Sequence, residues 1–178
     1  MAARGLVSVY LSVTTLDHEL ARILEPRAAA PARRLRAIKA LAEAGVPVGV
    51  SVSPIIPFIN EPELERIVEA AVAAGASSAF SIPLRLPWEV NPLFQDWLQR
   101  HFPERAERVM ARLRYMRGGL DNDARFGTRM TGEGVWAELL RARLHRIARK
   151  HGLRTERRPV ELALFRRPAR PSAQGSLF

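Results

Sequence analysis

Hydroxyl and guanidinium side chains at the ends of predicted strands are the residues of this sequence best suited to binding a ligand. Five of them end three segments of alternating polarity: Ser12, Thr14, Ser51, Ser53 and Arg85. Hydroxyls hydrogen-bond to the polar groups of a small molecule, and a guanidinium pairs with a carboxylate or a phosphate. The alternative interpretation is that small serines simply pack well in a tight sheet.

Cysteine is absent from the sequence. This excludes disulfides, thiolate catalysis and cysteine-held metal sites from the chemistry of these 178 residues. The four histidines show no spacing typical of metal ligands, and we expect them to be surface or packing residues: His18, His101, His145 and His151. No metal site is predicted.

Basic residues are concentrated in the second half of the sequence. Residues 1–96 contain 9 basic and 10 acidic residues, whereas residues 97–178 contain 19 basic and 8 acidic ones, a net charge of +11. This asymmetry favours a polyanionic partner, and Arg125 and Arg129 in the glycine-rich segment 117–134 are the predicted DNA contacts. Two alternatives stay open. The excess of arginine can reflect a GC-rich genome rather than a binding partner, and the segment 117–134 can be a solvated connection between helices.

Strands and helices alternate in the first half of the predicted structure. Alternating polarity predicts strands over residues 6–13, 46–53 and 77–85, and apolar spacing predicts helices over 31–44 and 62–74. Asn60 is a possible N-cap of the second helix. Repeats of this length predict parallel strands joined by right-handed crossovers.

Each predicted strand has an apolar face and a face of small or polar residues. In the third strand, positions 77, 79, 81 and 85 form the small or polar face. A sheet covered by helices on both sides would be apolar on both faces, so a barrel with outer helices and a ligand-filled lumen fits better. A sheet with one solvated face is the alternative. Because three strands cannot close a barrel, we expect further strands upstream.

Beyond residue 87 the pattern becomes mainly helical. We expect helices over 93–100, 104–116 and 135–151, a glycine-rich basic loop over 117–134, and a short strand over 160–165. Residues 166–173 have a composition typical of disorder. No apolar run is long enough for a membrane span and the start lacks a signal-peptide pattern, which predicts a cytoplasmic protein.

Several longer stretches together carry a family resemblance. They are LEPR at 24–27, PARRL at 31–35, AEAGVPVG at 42–49, PIIP at 54–57, LRLP at 84–87 with EV at 89–90, LF at 93–94 with DWL at 96–98, and RGG, ND, RFG, RM and GEG at 117–119, 122–123, 125–127, 129–130 and 132–134. Over residues 1 to about 150, the chain resembles radical-SAM proteins related to spore photoproduct lyase, often described as DNA repair photolyases. Phe58 stands where such sequences often have glycine.

The resemblance implies an α/β fold, the C-terminal half of a partial (β/α)6 radical-SAM barrel followed by a mainly helical basic extension. Residues 1–90 would be the last βα units, 91–165 the extension and 166–178 a disordered tail. It also implies S-adenosylmethionine (SAM) and a [4Fe-4S] cluster as cofactors of the full-length protein. The C-x-x-x-C-x-x-C loop that holds the cluster is not in this sequence, so we expect the chain alone to be inactive.

The resemblance gives the strand-end residues a more definite role. Reductive cleavage of SAM yields a 5′-deoxyadenosyl radical, and the protein binds and orients the cofactor. Ser12, Thr14, Ser51, Ser53 and Arg85 become candidate SAM-binding residues, with the backbone near 83–84 meeting the adenine. Glu25 either forms a salt bridge with Arg33 or Arg34, which we favour, or faces the cofactor.

Two further function hypotheses remain open from the sequence. One is a non-enzymatic, basic nucleic-acid-binding or adaptor domain, and the other is an inert product of a split gene. The missing N-terminal half of the barrel is an expected partner under the enzyme hypothesis. Residues 174–178, QGSLF, resemble the short peptide by which bacterial repair proteins dock on the sliding clamp, with Gln174, Leu177 and Phe178 as the contacts.

Overall fold

A computed structural model describes residues 1–156, 159 and 161–164 of the protein. Its centre is a parallel sheet of three strands in the order β1 (Val9–Ser12), β2 (Val48–Ile55) and β3 (Ser78–Pro83). Strands adjacent in sequence are adjacent in the sheet and are linked by helices, as the repeats predict. The arrangement is compatible with part of a radical-SAM barrel.

In the described part of the chain, six α-helices accompany the sheet. They are α1 (His18–Leu24), α2 (Pro31–Glu43), α3 (Leu64–Ala73), α4 (Val90–His101), α5 (Pro103–Tyr115) and α6 (Gly134–Lys150). Five of these correspond to predicted helices, and α1 was not predicted because seven residues are too few for a clear periodicity. The Asp17 carboxylate caps α1 by accepting hydrogen bonds from the backbone N–H groups of Glu19 and Leu20.

The helices bury one face of the sheet. Val50 and Val52 of β2 are fully buried, with Ile38 of α2 and Ile67 of α3 in the same hydrophobic core. Helix α6 packs against α3 and β3, and the core continues without interruption into the helical extension. Within the described residues, no helix is long and apolar enough to cross a bilayer.

The other face of the sheet, called the serine face here, carries Tyr10, Ser12, Gly49, Ser51 and Phe80. Register pairs Gly49 with Tyr10 and Ser78, and pairs Ser51 with Ser12 and Phe80. A Cβ atom on Gly49 would lie 2.2 Å from Ser78 Oγ and 2.4 Å from the Tyr10 ring, so only glycine fits there. Tyr10 and Phe80 meet edge to face above it, with ring centroids 5.1 Å apart.

The face assignment predicted for the third strand is wrong. Ala79 lies beside Val50 on the helix-covered face, and Phe80 lies beside Ser51 on the serine face. The reason is that serine and alanine occur on both sides of this strand, so its polarity pattern does not set its phase. The hydrogen-bonded register between β3 and β2 instead determines which residues of β3 face the helices.

Two local predictions also differ from the structure. Leu162–Leu164, within the predicted strand 160–165, form a 3-10 helix, and the sheet edge is extended instead by a parallel bridge between Ser78 and Arg154. Asn60 precedes a 3-10 helix, Glu61–Glu63, but its side chain makes no capping bond.

Phe58 has a φ of 61°, the left-handed conformation that favours glycine, and its ring lies 4.0 Å from the Arg108 guanidinium.

Candidate ligand-binding site

A cavity of about 200 Å³ opens where the chain leaves β1 and enters α1 and α2. Its polar and charged lining residues are Thr14, Thr15, His18, Arg22, Glu25 and Arg34. The location is the carboxyl end of a parallel strand, where open α/β sheets and barrels bind ligands because loops converge there around a rigid sheet.

Glu25 and Arg34 form the charged centre of this cavity. Glu25 Oε2 accepts a hydrogen bond from Thr14 Oγ1 at 2.5 Å and forms an ion pair with Arg34 at 3.1 Å. Arg34 also donates to the carbonyl oxygens of Ser12 and Ala29, at 2.9 and 2.8 Å. The predicted salt bridge with Arg34 is therefore confirmed, and Glu25 faces the cavity as well. Its Oε1 atom has no hydrogen-bond partner in the part of the chain that the structure describes.

Asn60 joins the ends of β1 and β2 beneath the cavity. Its fully buried carboxamide accepts from Ile56 N at 2.7 Å and donates to the carbonyl oxygens of Thr14 and Pro54 at 2.8 and 2.9 Å. Sequence reasoning missed this role. The available signal was an amide residue directly after the apolar run 54–59, where a buried polar side chain must find partners.

Glu63 makes a second connection from β1 to the chain after β2. It accepts hydrogen bonds from Thr15 Oγ1 at 2.5 Å and from Leu16 N at 2.9 Å. With Asn60, it holds the backbone that carries Thr14 in a fixed position relative to β2. The cavity wall is therefore preorganised by buried hydrogen bonds rather than by the ligand.

The four predicted hydroxyls differ in what they bond. Ser12 Oγ donates to the Ser53 carbonyl at 3.0 Å and Thr14 Oγ1 donates to Glu25, so both position neighbouring chain. Ser53 Oγ is buried without a hydrogen-bond partner among the described residues. An unpaired buried hydroxyl costs free energy, so Ser53 is the candidate whose hydroxyl would gain most from a hydrogen bond to a ligand atom.

Arg85 follows β3 and lies near a second arginine, Arg117. Its Nε atom is buried without a partner in the described part of the chain, and one terminal nitrogen lies 3.6 Å from the Met130 sulfur. Arg117 is 1% exposed and donates to the carbonyl oxygens of Leu84 at 3.0 Å and Arg129 at 2.7 Å. Burial lowers the pKa of Arg117, and the charge of Arg85 lowers it further, against the opposing effect of Asp123.

The glycine-rich segment 117–134 is tied together by buried Asp123. Its carboxylate accepts from Arg125 Nε at 3.0 Å and from Thr128 Oγ1 at 2.7 Å, and these hydrogen bonds hold its pKa far below the usual range. Arg125 is also paired with Glu133 at 3.1 Å. The predicted DNA contact Arg125 is thus already bonded to two carboxylates, whereas Arg129 stacks on exposed Phe126 with 4.5 Å to the ring centroid.

Other basic residues of the second half are also neutralised within the fold. Arg143 bonds Glu61 and reaches Glu65 at 2.7 Å, and this pairing raises its pKa. Lys150 lies 3.0 Å from Glu69. The surface available to a polyanion is therefore less basic than the charge count implies. Gln174, Leu177 and Phe178 lie outside the described residues.

The side chains do not fit an iron–sulfur cluster. Such clusters are held by cysteine thiolates, and the sequence has none. Among the described residues, no group of three or more histidine, aspartate or glutamate side chains is placed to hold a metal ion. The polar groups of Thr14, Glu25 and Arg34 in the cavity do fit a small polar organic molecule.

Comparison with known proteins bears on the same region. An uncharacterized protein of Mycobacterium tuberculosis (strain ATCC 25618 / H37Rv) and one of Mycobacterium bovis are each 30% identical over 156 residues, 86% of this chain and 42% of theirs. An uncharacterized protein of Acidianus two-tailed virus is 43% identical over 79 residues, 42% of this chain and 26% of its own. The chain thus spans less than half the length of these relatives, and no solved structure matches it.

A family model matches the part of the chain that forms the cavity. Residues 1–71 match the Radical SAM superfamily. This range contains β1, α1, α2 and β2, and with them Thr14, Glu25, Arg34 and Asn60. The match supports a radical-SAM protein.

Proposed function

We propose that this chain binds S-adenosylmethionine at the carboxyl ends of β1 and β2, as part of a radical-SAM enzyme. The observation that carries the proposal is the coincidence of the superfamily match with the cavity at Thr14, Glu25 and Arg34. The cluster needs thiolates from outside these 178 residues.

The cavity suits part of the cofactor. SAM presents a carboxylate, an ammonium group, a ribose diol and an adenine. Glu25 Oε1 is an acceptor for the ammonium or the diol, and the ion pair with Arg34 orients this carboxylate. At about 200 Å³, the cavity is smaller than the roughly 300–1,000 Å³ of whole small-molecule sites. The remainder of the cofactor would lie along the strand ends, where Ser53 Oγ lacks a partner.

The contribution of this chain to catalysis is binding and orientation. When bound, the cluster supplies the electron that cleaves SAM reductively. Glu25 and Ser53 would hold polar groups of the cofactor, and Asn60 and Glu63 would fix the strand ends that carry them. A site held by buried hydrogen bonds loses little free energy to reorganisation on binding.

A spore-photoproduct-lyase-like reaction in DNA repair is the finer form of the proposal. It is supported by the motif stretches at 24–57 and 117–134 and by the +11 charge of residues 97–178. The competing non-enzymatic function, nucleic-acid binding alone, is favoured by the exposed stack of Arg129 on Phe126. If the chain does not bind a SAM analogue, nucleic-acid binding alone is the favoured function.

Calorimetric titration of the full chain with S-adenosylhomocysteine tests the proposal. We expect saturable binding that is weakened about tenfold or more by Glu25→Gln, because the uncharged amide pairs poorly with Arg34 and with an ammonium group. Arg33→Gln is the matched control, since Arg33 lies on α2 next to Arg34 but is exposed. Absent binding, or equal binding by Glu25→Gln and the wild type, would contradict the proposal.

A further inference from the structure

We infer that Arg85 binds an oxyanion, a phosphate or a carboxylate, at the carboxyl end of β3. This second binding position lies two strands away from Thr14, roughly 10 Å across the sheet. It extends the proposed function but does not depend on it, because its support comes from β3 and from the segment 117–134.

Among the described residues, no carboxylate is paired with Arg85. Arg117 is buried beside it, and both of its terminal nitrogens donate to carbonyl oxygens, including that of Leu84 next to Arg85. Two guanidinium groups therefore share one strand end. Asp123 is the acidic residue that acts on Arg117, but its carboxylate is already bonded by Arg125 and Thr128. Neither arginine forms an ion pair within the described residues.

The hydrogen-bonding state of Arg85 points the same way. Its Nε atom is buried and has no hydrogen-bond partner among the residues that the structure describes, and Met130 sulfur, a weak acceptor, lies against a terminal nitrogen. A guanidinium offers Nε and a terminal nitrogen as a fork that matches two oxygens of a carboxylate or phosphate. Met130 is 40% exposed and has a flexible side chain, so it can move aside when an oxyanion enters.

Arg117 makes the position rigid. It bonds the backbone at the end of β3 to that of Arg129, and thereby holds Met130 next to Arg85. An oxyanion at Arg85 would also offset the repulsion between the two guanidinium groups. Hydrogen bonding of Arg85 and relief of the repulsion between the two guanidinium groups both require the anion. The position is therefore suited to binding an oxyanion rather than only to stabilising the fold.

NMR of the arginine Nε–H groups in the full-length chain tests the inference directly. The Arg85 signal is identified by its loss in Arg85→Lys, and the protein is titrated separately with inorganic phosphate and with S-adenosylhomocysteine. We expect a saturable shift of this signal with at least one of them, at about 1–10 mM for phosphate. In Arg85→Lys, which lacks this signal, the backbone amide shifts of residues 84–86 report binding, and we expect it to be about tenfold weaker because the fork is lost. Arg100→Lys, at an exposed pair with Asp96, is the matched control.

The two ligands distinguish the source of the oxyanion. A shift with phosphate alone identifies a phosphate group apart from the cofactor, and a shift with S-adenosylhomocysteine alone identifies the cofactor carboxylate. If neither shifts the signal, or if Arg85→Lys and the well-folded Arg85→Gln bind as tightly as the wild type, the inference is wrong. Glu25→Gln separates the two proposals, because it should weaken the S-adenosylhomocysteine response about tenfold or more and leave the phosphate response at Arg85 unchanged.

Discussion

At the scale of single residues, buried polar side chains determine the geometry of the candidate site. Asn60 and Arg117 each bond backbone groups of two separate segments, and Glu63 bonds the segment that follows β1 through Thr15 Oγ1 and Leu16 N. Such groups are costly to bury without partners, so each is stable only in this arrangement of strand ends. The residues that position the site are therefore distinct from the residues proposed to touch the ligand.

Replacing Asn60 with leucine should destabilise the protein strongly. Leucine has similar volume but leaves Ile56 N and the carbonyl oxygens of Thr14 and Pro54 without partners. The expected loss is about 2–4 kcal/mol in the free energy of unfolding, measured by denaturant titration. Gln99→Leu on the exposed side of α4 is the control and should change stability little. Equal stability of Asn60→Leu and the wild type would show that the three bonds contribute nothing.

At the scale of elements, register between strands determines which side chains meet. The serine face exists because β2 places Gly49 and Ser51 between Tyr10, Ser12, Ser78 and Phe80. The strained turn at Phe58 is held where β2 ends by Arg105, which donates to its carbonyl oxygen at 3.2 Å, and by the guanidinium of Arg108 on its ring. Helix α5 thus fixes the chain that carries Asn60.

Gly49→Ala should disrupt the serine face. The new methyl group would meet Ser78 Oγ and the Tyr10 ring at 2.2–2.4 Å, and β2 lies between two strands and cannot shift freely. We expect a loss of roughly 2–3 kcal/mol in denaturant unfolding, as for overpacked cores. Gly45→Ala is the comparison. A Cβ added at Gly45 would meet no described atom within 4 Å, but the φ of 71° disfavours alanine, so we expect a loss of roughly 1–2 kcal/mol in the free energy of unfolding. A smaller loss at Gly49 than at Gly45 would contradict the close packing.

At the scale of the whole molecule, charge is divided between internal pairs and free surface. Arg125, Arg143 and Lys150 are paired with carboxylates, whereas Arg129 carries its charge on an exposed aromatic ring. The basic excess of residues 97–178 is therefore expected to give weak, mainly electrostatic binding to nucleic acid.

The full chain should bind a labelled DNA duplex weakly, with an affinity that falls steeply as salt rises. Phosphate neutralisation releases counterions, which gives this dependence. Fluorescence anisotropy measures it, and Arg129→Ala should weaken binding more than Arg33→Ala, a control in the acidic half of the sequence. Binding that is independent of salt, or absent at low ionic strength, would contradict an electrostatic nucleic-acid surface.

A peptide of residues 168–178 should bind a bacterial sliding clamp through Gln174, Leu177 and Phe178. Burial of the two apolar side chains yields roughly 3–6 kcal/mol before ordering costs, so micromolar affinity is expected. Calorimetric titration tests this, with Leu177→Ala and Phe178→Ala expected to abolish binding and Ser176→Ala as the control. If no binding is seen at about 100 µM, the docking hypothesis fails.

The sequence by itself determined most elements of this protein and their order. Alternating polarity located β1, β2 and β3, and apolar spacing located five of the six helices described, with a glycine just after α2, α3 and α6. The exceptions are α1, which was not predicted, and the strand predicted over 160–165, where Leu162–Leu164 form a 3-10 helix. These signals are local, since each depends on residues a few positions apart. The salt bridge of Glu25 with Arg34 was also predictable because both flank one short connection.

Only the tertiary structure decided which faces and side chains meet. The phase of β3 depends on its hydrogen bonds to β2, because serine and alanine on both sides leave its polarity pattern ambiguous. Asn60 bonds Thr14 across 46 positions, and Arg117 bonds Leu84 across 33. Partners so distant in sequence are brought together by packing of the sheet and helices, and no local pattern specifies them.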